Sequence, residues 1–189
     1  MAVHDILVVD DSRTELMYLR DLLARHGFSV RTAESADEAY RQMGEALPDL
    51  ILLDVVMPGQ NGFQLTRHLS RHPQYGKVPV FLCTSKNQET DRVWGLRQGA
   101  RDYITKPVNA DVLLAKIAAV DQAANALASR LHAVGIGKGD VVALHLPRGA
   151  AHVVSLLAIL KLGAAFLPLD PDLPSDWRAG LLAKAQAKA

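Results

Sequence analysis

The chain has 189 residues, 49% of them hydrophobic and 22% charged, with a formal net charge of +1. That length suits one full domain and part of a second, and so even a charge balance supplies no global field for holding nucleic acid or an anionic membrane. The lone cysteine, Cys83, excludes an internal disulfide and points to a reducing cytoplasm.

The first two-thirds alternate between short apolar runs and helical spacing. "DILVVD" (5–10) is a continuous apolar run, and "RTELMYLRDLLARHG" (13–27) places Leu16, Leu19, Leu22 and Leu23 on one helical face, with Ser12 as N-cap and Gly27 as stop. A strand is predicted over 28–33 and a helix over 35–46. "DLILLD" (49–54) is a second apolar run, followed by a helix over 61–72. "VPVFLCT" (78–84) is a third, with Cys83 read as a small core residue. A helix over 87–99, a strand over 100–105 and a helix from 109 complete the set.

Five strands alternating with helices predict a parallel sheet covered on both faces, an α/β doubly wound fold of strand order 2-1-3-4-5. Ligands in such sheets bind beyond the carboxyl ends of the strands. Those ends carry Asp10 and Asp11, then Asp54, then Thr84 and Ser85, then Lys106 before Pro107. Ser12 already serves as the helix cap, which leaves the adjacent aspartates in need of another partner.

Three carboxylates meeting at one edge repel unless a cation sits among them. Oxygen ligands alone suit Mg²⁺, which keeps several waters and accepts a phosphate oxygen. Lys106 is expected to pair with Asp54 at rest, Thr84 to bond a phosphoryl oxygen, and Asp54 to act as the nucleophile.

"VVDDS", "LILLDVVMPGQNG", "LCTSK" and "ARDYITKP" resemble the motifs of the CheY-like receiver domain of two-component response regulators, a flavodoxin-like fold, over residues 4–120. "NQETDRVWGLRQGARDYITKPV" is most similar to the PilH-like single-domain regulators of twitching motility. The resemblance implies that Asp54 is the phosphoacceptor, that Asp10, Asp11 and Asp54 bind Mg²⁺ with the backbone carbonyl of Val56, and that Thr84 and Lys106 respond to the phosphate. Tyr103 matches the aromatic switch position, and packing against the sheet fits it equally well. The Lys106-Pro107 bond is expected to be cis. The implied partner is a histidine kinase or phosphotransfer protein. Neither nucleic acid nor membrane is expected: no apolar run spans a bilayer, Asp5 comes too early for a signal peptide, and no helix-turn-helix follows.

The last third differs. "ANALASRLHAVGIGKGDVVALHLPRG" and "AILKLGAAFLPLDPDLP" resemble the start of an adenylation domain of nonribosomal peptide synthetases. That family's phosphate loop, adenine-contacting motifs and late lysine are missing from this stretch, so adenylation activity is not expected. The reading is a receiver at 1–120 and an adenylation-domain-like β-α-β fragment at 121–189. Leu113, Ile117, Val120, Ala124, Leu127, Leu131 and Val134 form one apolar stripe, which predicts a continuous helix over 109–134, about 39 Å long, with a flexible linker as the alternative. Strands are predicted over 141–146 and 164–170, with both faces needing cover, and helices over 149–163 and 174–189. A fragment this small cannot bury those strands alone, so self-association through it is expected. A natural fusion, a truncated reading and an engineered chimera with no signalling role of its own all fit the sequence.

Overall fold

The computed structural model describes residues 3–85, 89–146, 150–170 and 172–188. Asn87, Gln88 and Gly149, expected at the starts of two helices, lie outside them. The chain divides into two compact units, Ala2–Ile117 and Ala118–Ala189.

The first unit holds five parallel strands: β1 (Asp5–Val9), β2 (Ser29–Ala33), β3 (Leu50–Asp54), β4 (Val80–Thr84) and β5 (Asp102–Thr105). Their order is β2-β1-β3-β4-β5, as expected. Every residue of β3 and β4 is buried, because helices cover both faces of a parallel sheet. Those helices are α1 (Arg13–Arg25), α2 (Ala36–Glu45), α3 (Gly62–Arg71), α4 (Glu89–Arg97) and the start of α5 (Ala110–Ala133), with a short 3-10 turn at Tyr75–Lys77 before β4. The local signals are plain. Ser12 and Ser35 accept hydrogen bonds from Glu15 N and Glu38 N, and Asn61 and Gln64 form a reciprocal capping box at the start of α3.

Helix α5 is one unbroken element across the boundary between the units. Leu113, Ile117, Val120, Ala124 and Ala128 are buried along it, a one-sided stripe. Val134 departs from the expected stripe: it lies beyond the helix and is 75% exposed. The chain turns there because Gly135, at φ 85°, ends the helix in a Schellman motif. Gly135 N bonds His132 O, and Ile136 N bonds Leu131 O. Ile136 thereby takes the buried position. By length and composition alone α5 is long and apolar enough to cross a membrane; its many alanines raise the average, and Asp111, Lys116, Asp121 and Arg130 interrupt the apolar run.

The second unit contains β6 (Val141–Leu144), α6 (Ala150–Lys161), β7 (Ala165–Pro168) and α7 (Ser175–Ala185), with β6 and β7 parallel. Its core gathers Ile136, Val142, Leu144, Leu156, Ile159 and Ala164. The strands are not buried on both faces: β6 alternates, and β7 is exposed at both ends. Continuous apolar runs do not by themselves tell one covered face from two. The tail also departs from the expected long helix. Gln186 adopts a left-handed conformation, and Lys188 pairs in parallel with Val142.

Candidate functional site

Adjacent parallel strands in register bring their carboxyl ends to one rim. Val9 lies beside Leu53, Asp54 beside Cys83, and Thr84 beside Thr105. Asp10 follows β1, Asp54 closes β3, Thr84 closes β4 and Lys106 follows β5. Carboxylate oxygens of Asp10, Asp11 and Asp54 all lie within 4.8 Å of one another. Asp10 and Asp54 are buried, and Asp11 is exposed.

Lys106 Nζ lies 2.6 Å from Asp54 Oδ1 and 2.6 Å from Asp10 Oδ2. The pairing with Asp54 was expected; the second arm to Asp10 was not. Its backbone is fixed by Lys106 N donating to Thr84 O, and the Lys106-Pro107 bond is cis. The remaining carboxylate oxygens are met by main chain: Val56 N donates to Asp54 Oδ2 at 2.6 Å, and Ser12 N to Asp10 Oδ1 at 2.9 Å. Such charge-assisted bonds orient each carboxylate as well as offsetting its desolvation.

The electrostatics follow from this crowding. Burial pushes the Asp54 carboxyl above its ordinary range, against the hydrogen bond and charge of Lys106. Burial alone would lower Lys106, but hydrogen bonds to Asp10 and Asp54 outweigh it and hold the lysine above its usual range. Beside them, burial pushes the Cys83 thiol up to about 12, consistent with an inert core residue.

Thr84 is buried at the rim. Val56, offered by resemblance as a carbonyl ligand, is 55% exposed two residues past Asp54. Tyr103 is buried within the core cluster of the first unit. Sequence reasoning missed Gly62. Its amide bonds Val55 O at 3.0 Å, and a Cβ there would run into the carbonyl oxygen of Asp54. A glycine eight residues past a strand-end aspartate was the available signal. It also missed that His68, on α3, and His72, which caps that helix, are four residues apart. The structure commits both rings elsewhere, His68 Nδ1 to Gln60 and His72 Nδ1 to the amides of Gln74 and Tyr75.

Chemically, among the described residues, this is an oxygen-rich rim of negative charge with one ammonium, Lys106, and one buried hydroxyl, Thr84. It matches the needs of a hard divalent cation beside an oxyanion. Residues 6–118 match the family model for the response regulator receiver domain, and residues 117–189 match that for the AMP-binding enzyme. Over 115 residues the chain is 50% identical to protein PilH of Pseudomonas aeruginosa, covering 61% of this chain and 95% of that protein. It is 44% identical to the phosphate regulon transcriptional regulatory protein PhoB of Escherichia coli K12, again over 61% of this chain, but spans only 50% of that relative. Among solved structures, chemotaxis protein CheY4 of Vibrio cholerae matches with a TM-score of 0.58 at 29% identity, over 61% of this chain and 97% of that one. The signal receiver domain of a histidine kinase from Syntrophus aciditrophicus matches with a TM-score of 0.56 at 36% identity, over 60% and 86%. With the acidic rim, the strand order and these matches together, the chain belongs to the response regulator receiver domain family of two-component signalling.

Proposed function

We propose that Asp54 accepts a phosphoryl group from a phosphohistidine on a histidine kinase or phosphotransfer protein, with Mg²⁺ held by Asp10, Asp11, Asp54 and the Val56 carbonyl. The convergence of three carboxylates at the strand ends, two of them paired with one ammonium, carries this reading. A carboxylate oxygen of Asp54 forms the new bond to phosphorus while the phosphorus–nitrogen bond to the donor imidazole breaks; the imidazole retains that electron pair and takes up a proton. Mg²⁺, when bound, supplies positive charge to the carboxylates and phosphoryl oxygens. Lys106 turns from its carboxylate partners to a phosphoryl oxygen, and Thr84 donates its hydroxyl to another. Thr84 and Lys106 then bias the α4–β5–α5 face, on which Trp94 is 52% exposed. Tyr103 belongs to that switch through its packing in β5.

We place the receiver in residues 1–120 and an adenylation-domain-like fragment in 121–189, joined through α5. That fragment serves as an association module and not as an adenylating enzyme. Helix α7 buries none of its residues, and Trp177 is 68% exposed one turn from the exposed Leu181, which favours a second copy of this chain as the partner. A concentration-independent monomer in sedimentation would overturn that part.

Incubation with acetyl phosphate and Mg²⁺, read by mass spectrometry, tests the main reading. The protein should gain one acid-labile phosphate, which Asp54→Asn abolishes and chelation of Mg²⁺ suppresses. Undiminished labelling of Asp54→Asn would overturn it.

A further inference from the structure

We propose that Gln60 is a positioning residue that fastens the β3–α3 loop, and with it the Val56 carbonyl and Asp54 carboxylate, in the geometry the metal requires. This rests on the metal-binding reading of Asp54 and Val56 given above.

The loop over 55–61 follows the acceptor, and its main chain is anchored at the near end, where Val55 N bonds Cys83 O and Val56 N bonds Asp54 Oδ2. Val55 and Met57 are buried, whereas Val56 is 55% exposed. Pro58 and Gly59 are exposed, and Gly59 takes a positive φ of 74°, so the chain turns there in solvent. Across 55–60 the side chains are Val, Val, Met, Pro, Gly and Gln. Gln60 therefore carries the one polar side chain able to tie that span to the rest of the unit.

It ties the loop to α3. Its Nε2 lies 2.8 Å from His68 Nδ1, on the second turn of that helix. One amide thus bridges the acceptor loop to α3. The capping box at Asn61 and Gln64 fixes the start of α3, and Gly62 fastens the far end beneath Asp54. Gln60 supplies the lateral restraint between them. A loop held in this way presents its carbonyl to a cation without first losing conformational freedom.

The test compares the intact chain with Gln60→Leu and with His68→Leu, which breaks the same bond from the exposed face of α3. Hydrogen exchange of the Val56 and Met57 amides is read without metal, and the Mg²⁺ dependence of acetyl phosphate labelling is read alongside. Both variants should speed exchange at Val56 and Met57. Both should raise the Mg²⁺ concentration for half-maximal labelling about threefold to tenfold, below the ~10–100-fold typical when a group bonded directly to a metal ligand is lost. The change falls on half-saturation and not on the plateau rate, and the double variant should be no worse than either single one. Unchanged exchange in folded Gln60→Leu, or additive losses in the double variant, overturns the proposal. Absence of any phosphate on the unaltered protein would instead refute the role of Asp54, and the exchange measurement would still decide whether Gln60 holds the loop.

Discussion

Lys106 reaches across 96 positions in sequence to place its ammonium 2.6 Å from Asp10, while holding Asp54 at the same distance. One cation therefore neutralises two buried acids. Lys106→Met strands both carboxylates. Breaking a buried pair by removing one partner costs about 3–5 kcal/mol, and urea denaturation without Mg²⁺ should show a loss of that order. Added Mg²⁺ should restore more stability to the variant than it adds to the unaltered protein, because ligand linkage grows with affinity. Equal stability of the two proteins without Mg²⁺ would refute this account of the rim.

Asp54 carries the opposite sign. Burial holds its carboxyl above the ordinary range despite Lys106, so the folded state binds the proton more tightly than the unfolded chain does. The contribution to stability is fully present below the unfolded pKa and is lost as pH rises through the folded one. Asp54→Asn should therefore be more stable than the unaltered protein at neutral pH without Mg²⁺, by roughly 1 kcal/mol, a usual size for single substitutions. The gap should close as pH falls below the normal carboxylate range. Melting curves across that range check it, and a variant less stable at pH 7 would contradict it.

Two glycines make a matched pair. At Gly62 an added methyl meets the Asp54 carbonyl oxygen, whereas at Gly44, on α2, nothing lies within 4 Å. Gly62→Ala should cost about 1–3 kcal/mol through backbone displacement and impair labelling of Asp54. Gly44→Ala should gain about 0.5–1 kcal/mol from helix propensity. Urea titrations of both variants decide the matter, and a neutral Gly62→Ala would show that the close approach is not required.

The rim was legible because each of its groups sits at the end of an apolar run, and the alternation of strands and helices dictates which ends are neighbours. Asp10, Asp11, Asp54, Thr84 and Lys106 needed only the strand order to be brought together. What stayed hidden depends on angles that spacing does not encode. Whether Lys106 meets one acid or two is decided by side-chain reach across the sheet. The fastening of Gln60 to His68 joins residues from a loop and a helix with no shared periodicity. The alanine-lysine tail has strong helix propensity, which masks its turn at Gln186. The pairing of Lys188 with Val142 is a main-chain contact that leaves no side-chain signature.

That last contact governs how the protein can be handled. Lys188 N donates to Val141 O at 2.8 Å, and its ammonium grips Asp140 at 2.8 Å. Lys188 thus shields the outer margin of β6, where bare amides and carbonyls would otherwise invite a neighbour's strand. Replacing Lys188 with proline removes the N–H that makes this pairing and should bare that margin, raising the aggregated fraction seen by light scattering.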